Sequence, residues 1–483
     1  MVKTDKNSII LSILIMIQPI LDICSYFAVE AGITTVTTML RFAIFGAVML
    51  YAFALSDRKK VYFIFAGVIG LYWIIHVLIC ARDGYSFVSD TNNLLRTLHM
   101  PALTIAFITL FKHANRYPEN IGMCFSINYV IIAASIILSF IVNKPVYTYD
   151  RWIDGIWAPV GIKGWFFAGN SQSCILALMA MLAMFDAYQK KKNLYFIGIM
   201  VLIFIMMFFF GTRVTYLSIF IIALSFLVLI LWNREKRIVI PVALLLALAI
   251  AVVAYPYSPT YQIRATSYEN ETAWNEIIAD TTNATTSIET TNATTSIETT
   301  PSISTPEKPQ VPVQNQPVLT IGLETLGERF GLEKVLALYG NDIDAAELMD
   351  NRQLKVNFGK LLMAENDIWI RLFGCEYQDF YYRDGTYDPE NDFSSLYFFH
   401  GYVGLALYAA FIAYFILLLA KDILQNLKFL PKEKVLLCLS LILVLGIAEL
   451  SGHVLKRPSV SIYISLLLAY AYYICKKRKE QPS

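Results

Sequence analysis

Apolar runs long enough to cross a lipid bilayer recur along this chain on both sides of one long polar interval, and nothing else limits its fold as much. A helix rises 1.5 Å per residue, so it needs about 20 apolar residues to span the hydrocarbon. Backbone in lipid must satisfy its own hydrogen bonds, and the runs therefore predict helices rather than open strands. They lie at 8–29, 33–55, 61–80, 94–111, 121–142, 166–185, 193–210, 213–232, 238–255, 396–420, 434–450 and 459–475. The expectation is an all-α polytopic membrane protein with about twelve transmembrane helices. With 57% hydrophobic and 16% charged residues, a soluble globular domain is excluded. The net charge of +2 gives no reason to expect a nucleic-acid partner.

Orientation follows from basic residues in short loops. One set of loops holds Lys3 and Lys6, Arg58-Lys59-Lys60, Lys112 and Arg116, Lys190-Lys191-Lys192, and Arg234 with Lys236 and Arg237. It continues with Lys421, Lys428, Lys432 and Lys434, and ends at Lys476-Lys477-Arg478-Lys479. The alternate loops hold far fewer. Both termini are expected in the cytoplasm, in a multi-pass cell-membrane protein. The first run is too long for a signal-peptide core and reads as a retained span.

Three regions follow: 1–255 with nine spans, 256–395 as one large extracytoplasmic loop, and 396–483 with three spans and a basic tail. Inside the loop, Thr-Thr-Asn-Ala-Thr-Thr-Ser-Ile-Glu occurs at 281–289 and again at 290–298, followed by a Pro-rich run. Such a tract buries too little apolar surface to fold, so 278–318 is expected to be disordered. Helical periodicity in 323–338 and 345–363 predicts a small helical subdomain over 319–395. Of seven cysteines only Cys375 lies in a long polar segment, so neither a disulfide framework nor a metal-ligand spacing is visible.

The charges within and beside the spans gather on one side. Asp22, Arg41, His76, Arg96, His99, Arg213, His400, Glu449, His453, Lys456 and Arg457 all fall near the ends expected to face outward. Asp22 and Arg41 are placed at similar depth, as an ion pair would be. Ionisable groups in lipid are costly and mark pairing or function. A coupled transporter would place them near the midplane and a channel would ring a filter. An enzyme working at the outer leaflet would collect them where these are. Just before the tenth span, Asp388, Glu390 and Asp392 form an acidic cluster, which as a plain polar flank would only keep a helix end in water.

Four short stretches add a family resemblance. They are Gly164-Trp165-Phe166-Phe167-Ala168-Gly169-Asn170-Ser171, Gly211-Thr212-Arg213-Val214-Thr215-Tyr216, Asn351-Arg352-Gln353 followed by Leu372-Phe373-Gly374, and Glu390-Asn391-Asp392 with Gly401-Tyr402-Val403-Gly404. With the span number and the loop before the last three spans, the chain resembles the O-antigen ligase and polymerase group of membrane glycosyltransferases, in its Gram-positive branch. The resemblance implies transfer of an oligosaccharide from undecaprenyl diphosphate to a sugar hydroxyl, at the outer face of the cytoplasmic membrane. The acceptor is another lipid-linked unit in a polymerase, and a glycan or wall anchor in a ligase. A chain-length regulator and a flippase of the same pathway are the implied partners, with membrane lipid around the chain. No cofactor or metal is implied.

A departing diphosphate needs cations, and the acceptor hydroxyl needs a base. The resemblance assigns the cations to Arg213 and Arg352, with Arg41, Arg96 and Arg457 beside them, and places Asn170 in the donor site. Family ligases carry a His near the position of Asp388 or Glu390. The base here is therefore sought among Asp388, Glu390, Asp392 and His400. A flippase of lipid-linked sugars shares the span number and is the alternative. It would require charges along a central cavity and two similar halves, and neither is visible.

Overall fold

A computed structural model describes residues 5–33, 35–81, 84–114, 120–153, 156–235, 237–265, 318–347, 349–383, 385–428 and 430–476. Contacts divide the chain into two units, Met1–Thr260 with Lys355–Ser483, and Tyr261–Leu354. In chain order the helices are α1 (Lys6–Met16), α2 (Gln18–Glu30), α3 (Thr35–Leu55), α4 (Lys59–Cys80), α5 (Phe87–Lys112) and α6 (Ile121–Ile141). A hairpin of β1 (Tyr147–Ile153) and β2 (Ile156–Ile162) precedes α7 (Gly169–Gln189), α8 (Asn193–Phe210), α9 (Arg213–Trp232) and α10 (Val239–Val253). Next come α11 (Val318–Phe330), α12 (Leu332–Ala337), α13 (Ile343–Glu347), α14 (Asn351–Glu365) and α15 (Ile368–Phe373). A short pair, β3 (Tyr381–Tyr382) and β4 (Gly385–Thr386), leads to α16 (Asp392–Leu424), α17 (Lys432–Ser451) and α18 (Pro458–Lys476).

Among the described residues ten helices are long and apolar enough to cross a membrane, α1 and α2 together making one of them. That is two fewer than the runs predict. The remaining two expected spans are helical: α10 is apolar but only 15 residues long, and α17 bears Lys432, Glu433, Lys434 and Glu449. The all-α expectation also missed two antiparallel strand pairs; in the longer one Tyr147 faces Ile162 and Ile153 faces Ile156. The repeat and Pro-rich tract lies outside the described residues as far as 317.

In the first unit α7 is the centre. Every residue from Ser171 to Tyr188 is buried, and 94% of its apolar window is enclosed by protein. Its run of Ala, Leu and Met lets neighbouring backbones come close; α6, α8 and α17 pack on it, and α18 lies along α5. By contrast only 17% of the α3 and α4 windows is buried, so these helices turn apolar faces outward. Within the second unit α11, α12 and α13 pack on one another around Leu326, Phe330, Val335 and Ala346. Both periodic stretches predicted for this region are helical, and each is split in two.

Two irregularities position the polar end of the first unit. Pro19 has no N–H for the Ile15 carbonyl, so the first span breaks at Ile17; Asn128 Nδ2 donates to that freed carbonyl instead, at 3.1 Å. In α16 the helix is interrupted at Gly401, which has φ 62°. There the segment at 372–375 crosses α16 backbone to backbone, and Cys375 N donates to the Phe398 carbonyl at 2.8 Å. A Cβ on Gly401 would run into the Leu372 carbonyl, and one on Gly374 into Phe399. The two glycine-bearing sequence stretches thus serve one crossing.

Candidate functional site

A cavity of about 310 Å³ opens where six chain segments of the first unit meet. The helix α2 contributes Asp22 and Ser25, and the first turns of α3 contribute Thr37, Thr38 and Arg41. From α5 come Asn93 and Arg96, from the entry to α7 Phe166 to Ala168 with Ser171 and Gln172, and from the α17–α18 loop His453, Lys456 and Arg457. Asp388 completes the wall. Because the long helices alternate in direction, all these segments lie at one end of the bundle. The basic loops Arg58-Lys59-Lys60 and Lys190-Lys191-Lys192 lie at the other.

Sequence chemistry explains each placement. Arg41 Nη2 meets Asp22 Oδ1 at 2.6 Å, the pair expected from their depths, and Arg41 Nη1 reaches Gln18 Oε1 at 3.4 Å beside the Pro19 break. Arg96 follows Asn93 by three residues, so both face the same way on α5. Arg457 Nη1 donates to Ser171 Oγ at 3.0 Å, joining the last loop to the start of α7.

The acidic stretch before α16 holds that last loop by three attachments. Asp392 is fully buried, and its Oδ2 accepts from Val454 N at 2.6 Å and Leu455 N at 3.0 Å. The Glu390 carbonyl accepts from His453 N at 2.9 Å. Asp388 lies 3.6 Å from Lys456 Nζ and accepts from Ser395 Oγ at 3.1 Å, and Lys456 also donates to Ser395. Gly452, at φ 66°, packs against the Glu390 backbone so closely that a Cβ would overlap it. Buried charge-assisted bonds of this kind fix a loop with little freedom left.

Of the residues singled out in the sequence, Arg41, Arg96 and Arg457 share the cavity wall. Glu390 pairs with Lys355 Nζ at 3.2 Å, and Asp392 is the loop anchor just described. His400 is buried in the bundle, with Nε2 2.9 Å from Thr97 Oγ1 and Nδ1 3.4 Å from the Tyr72 hydroxyl. Asn170 sits in the first turn of α7, one residue before Ser171. Arg213 is exposed as the first residue of α9, where Thr212 caps the helix by accepting from Thr215 N at 3.2 Å. Arg352 belongs to the second unit, in the first turn of α14.

In the sequence His453 and Lys456 stand among the outward charges without a role, and neither Asn93 nor Gln172 is singled out. Only their position near span ends could have drawn attention to them. Burial in a cationic neighbourhood pushes the His453 imidazole down to about 4, against the opposing pull of Asp388, with Lys456 and Arg457 lowering it further. At neutral pH it is an uncharged base in the cavity wall. The four cations Arg41, Arg96, Lys456 and Arg457 face two carboxylates, Asp22 and Asp388, so the lining carries excess positive charge. Such a wall suits a polyanionic group, and arginine forks suit phosphate oxygens. Among the described residues no cluster of three or more His, Cys, Asp or Glu could hold a metal ion.

A family model described as O-antigen ligase like membrane protein matches residues 4–478. Comparison with the curated proteins finds no match.

Proposed function

The chain belongs to the O-antigen ligase-like membrane protein family, and from that premise we propose that it transfers an oligosaccharide from undecaprenyl diphosphate to a sugar hydroxyl. Membership already places it among multi-pass membrane proteins of polysaccharide assembly. The observation that carries the finer reading is the cavity in which Arg41, Arg96, Lys456 and Arg457 converge. Its 310 Å³ is at the small end of the roughly 300–1,000 Å³ usual for ligand pockets. That volume suits a diphosphate with its first sugar, and leaves the rest of the glycan and the lipid outside.

In this reading the acceptor oxygen attacks the anomeric carbon of the donor, and the bond from that carbon to the diphosphate oxygen breaks. The cations stabilise charge as it builds on the departing diphosphate, which is where fixed charges help a transition state most. His453 takes the acceptor proton. Its low affinity for protons belongs to the cavity without an anion; a bound diphosphate offsets the nearby cations and raises it towards the range of an effective base. Asp388 then faces the imidazolium. Glu390 and Asp392 act by positioning the His453 loop, and His400 by locking α16 to α5. Asn170 orients the start of α7 beside the donor. Arg213 serves as an outlying cation that attracts the anionic donor.

The distribution of basic loops supports a cavity at the outer face, with the large loop outside and both termini in the cytoplasm. The product is a cell-surface polysaccharide, made by polymerising or ligating lipid-linked units.

The test is transfer by the purified chain in liposomes supplied with an undecaprenyl-diphosphate-linked oligosaccharide. Wild type should yield longer or transferred glycan, while Arg96→Ala and Arg457→Ala should each lose roughly a hundredfold in rate and leave the lipid-linked unit unconsumed. Full transfer by both variants would refute the reading.

A further inference from the structure

The cavity has two walls of different chemistry. On one, Arg96, Lys456 and Arg457 stand against a single carboxylate, Asp388. The other, from α2 and α3, holds Asp22 and Arg41 with the hydroxyls of Ser25, Thr37 and Thr38. The charges of the two walls are separate. Arg41 is the charge that acts on Asp22, whereas Arg457 is within reach of Arg96, Asp388, Glu390 and Asp392. With Asp22 and Arg41 cancelling each other, the α2–α3 wall carries no net charge.

Asp22 is only half used by the protein. Its Oδ1 takes Arg41 Nη2 at 2.6 Å, while Oδ2 has no partner among the described residues and is not enclosed. Asp22 lines the cavity and is 15% exposed. Arg41 is itself tethered to Gln18, so the carboxylate is fixed in place. Beside it Ser25 Oγ and Thr37 Oγ1 are bonded to each other at 3.0 Å and tie α2 to α3.

Phe167 lines the same cavity and is 63% exposed, although the ring before it, Phe166, is buried. Lys163 Nζ donates to the Phe167 carbonyl at 3.3 Å, which steadies the turn that presents the ring. An aromatic face carries partial negative charge and attracts weakly positive C–H groups laid flat on it. A sugar ring offers C–H groups across its plane and hydroxyls around its edge. Those hydroxyls suit a fixed carboxylate, which accepts more strongly than a neutral oxygen.

We propose that Asp22 and Phe167 form a saccharide subsite for the first sugar of the donor, Asp22 accepting from a ring hydroxyl and Phe167 stacking on the ring. The open carboxylate also excludes. A uronic acid brings its own carboxylate into a volume of about 310 Å³ that already holds Asp22. Like charges so confined repel, and the hydroxyl bond is lost as well. The subsite therefore selects neutral sugars over uronic acids. The inference rests on the reading of the cavity as the donor site.

The experiment measures binding of glucose 1-phosphate, glucuronic acid 1-phosphate and inorganic pyrophosphate to the purified full chain in detergent, by calorimetry. Net charge alone favours the glucuronate, which brings an extra negative charge to a positive cavity. The subsite predicts the reverse, with glucose 1-phosphate bound at least about tenfold more tightly by wild type. Asp22→Asn keeps an acceptor oxygen and removes the repulsion. That ratio should then fall to one or below, while pyrophosphate binds at least as tightly as before. Phe167→Ala should weaken both sugar phosphates by about fivefold and leave pyrophosphate unchanged.

Glucuronic acid 1-phosphate bound by wild type as tightly as glucose 1-phosphate overturns the proposal, and that comparison needs no variant to fold. An unchanged ratio in Asp22→Asn also overturns it. So does Phe167→Ala binding the sugar phosphates like wild type, the result expected of a ring that only faces lipid. If Asp22→Asn no longer binds pyrophosphate it has not folded, and the wild-type ratio with Phe167→Ala decides. If wild type binds pyrophosphate but the sugar-phosphate results fail, only this inference falls. If wild type binds none of the three, the donor-site reading fails with it.

Discussion

The acidic stretch at 388–392 and the loop at 452–457 lie against each other, and they divide the work in the opposite way to their prominence in the sequence. The first has three carboxylates in five residues before an apolar run, and it draws the eye as a catalytic cluster. Yet Asp392 spends its charge on two backbone amides, Glu390 lends a carbonyl, and Asp388 faces Lys456. The second is a short turn between two helices, and it carries His453, Lys456 and Arg457 into the cavity. A residue type shows what chemistry is possible; only its partners show whether that chemistry is already used.

The largest expected effect falls on the loop. Removing a general base typically costs 10²–10⁴-fold, so His453→Ala should lower transfer by roughly a thousandfold while pyrophosphate still binds. Should that variant keep its rate, the base moves to Asp388 and the division of labour fails. The same residue has a pH signature. Its pKa falls from 6.5 to about 4 on folding, so between those values the unfolded chain binds a proton that the folded chain refuses. Folded stability should therefore drop as pH falls through that window, and His453→Gln should flatten thermal-melting curves taken across it.

Arg457→Lys comes next. It keeps the charge but loses the planar fork that bonds Ser171 and, in the proposed function, a phosphate, and a loss of about tenfold in kcat/KM is expected. A wild-type value would reduce Arg457 to a point charge.

In the acidic stretch the effects should appear in stability instead. Asp392→Ala leaves Val454 N and Leu455 N without their acceptor, at about 1–3 kcal/mol for an unsatisfied buried group. Asp392→Asn retains an acceptor oxygen and should keep activity within about threefold of wild type, since no proton transfer is asked of it. An inactive but stable Asn variant would return the base to this carboxylate.

Arg213 should give the smallest change. It is exposed at the start of α9, and the proposed function gives it only a long-range pull on the donor. Arg213→Ala should slow transfer by about twofold at low salt and not at all at high salt, because screening removes such steering beyond about 10 Å at 0.1 M and beyond still shorter distances at higher salt. A salt-independent loss would mean that Arg213 contacts the donor directly.

Much of the helical framework could be read from apolar runs alone, because lipid leaves the backbone few choices. The count could not, since α10 and α17 fall between a buried helix and a span by length or charge. Nor was the β1–β2 hairpin expected, although Asp154-Gly155 is the dipeptide that favours such turns. Arg41, Arg96 and Arg457 could be singled out because a guanidinium near a span end is conspicuous wherever it lies.

His453 was legible only as one more ionisable group near a span end, and Asn93 and Gln172 carry no such signal: amides near helix ends are ordinary until their surroundings are known. Sequence by itself determined which segments are helical and which end of the bundle holds the charge, since both follow from the local cost of polar groups in lipid. The tertiary structure alone decided which polar groups are satisfied by protein and which line the cavity. That outcome depends on six segments, distant in the chain, closing around one volume.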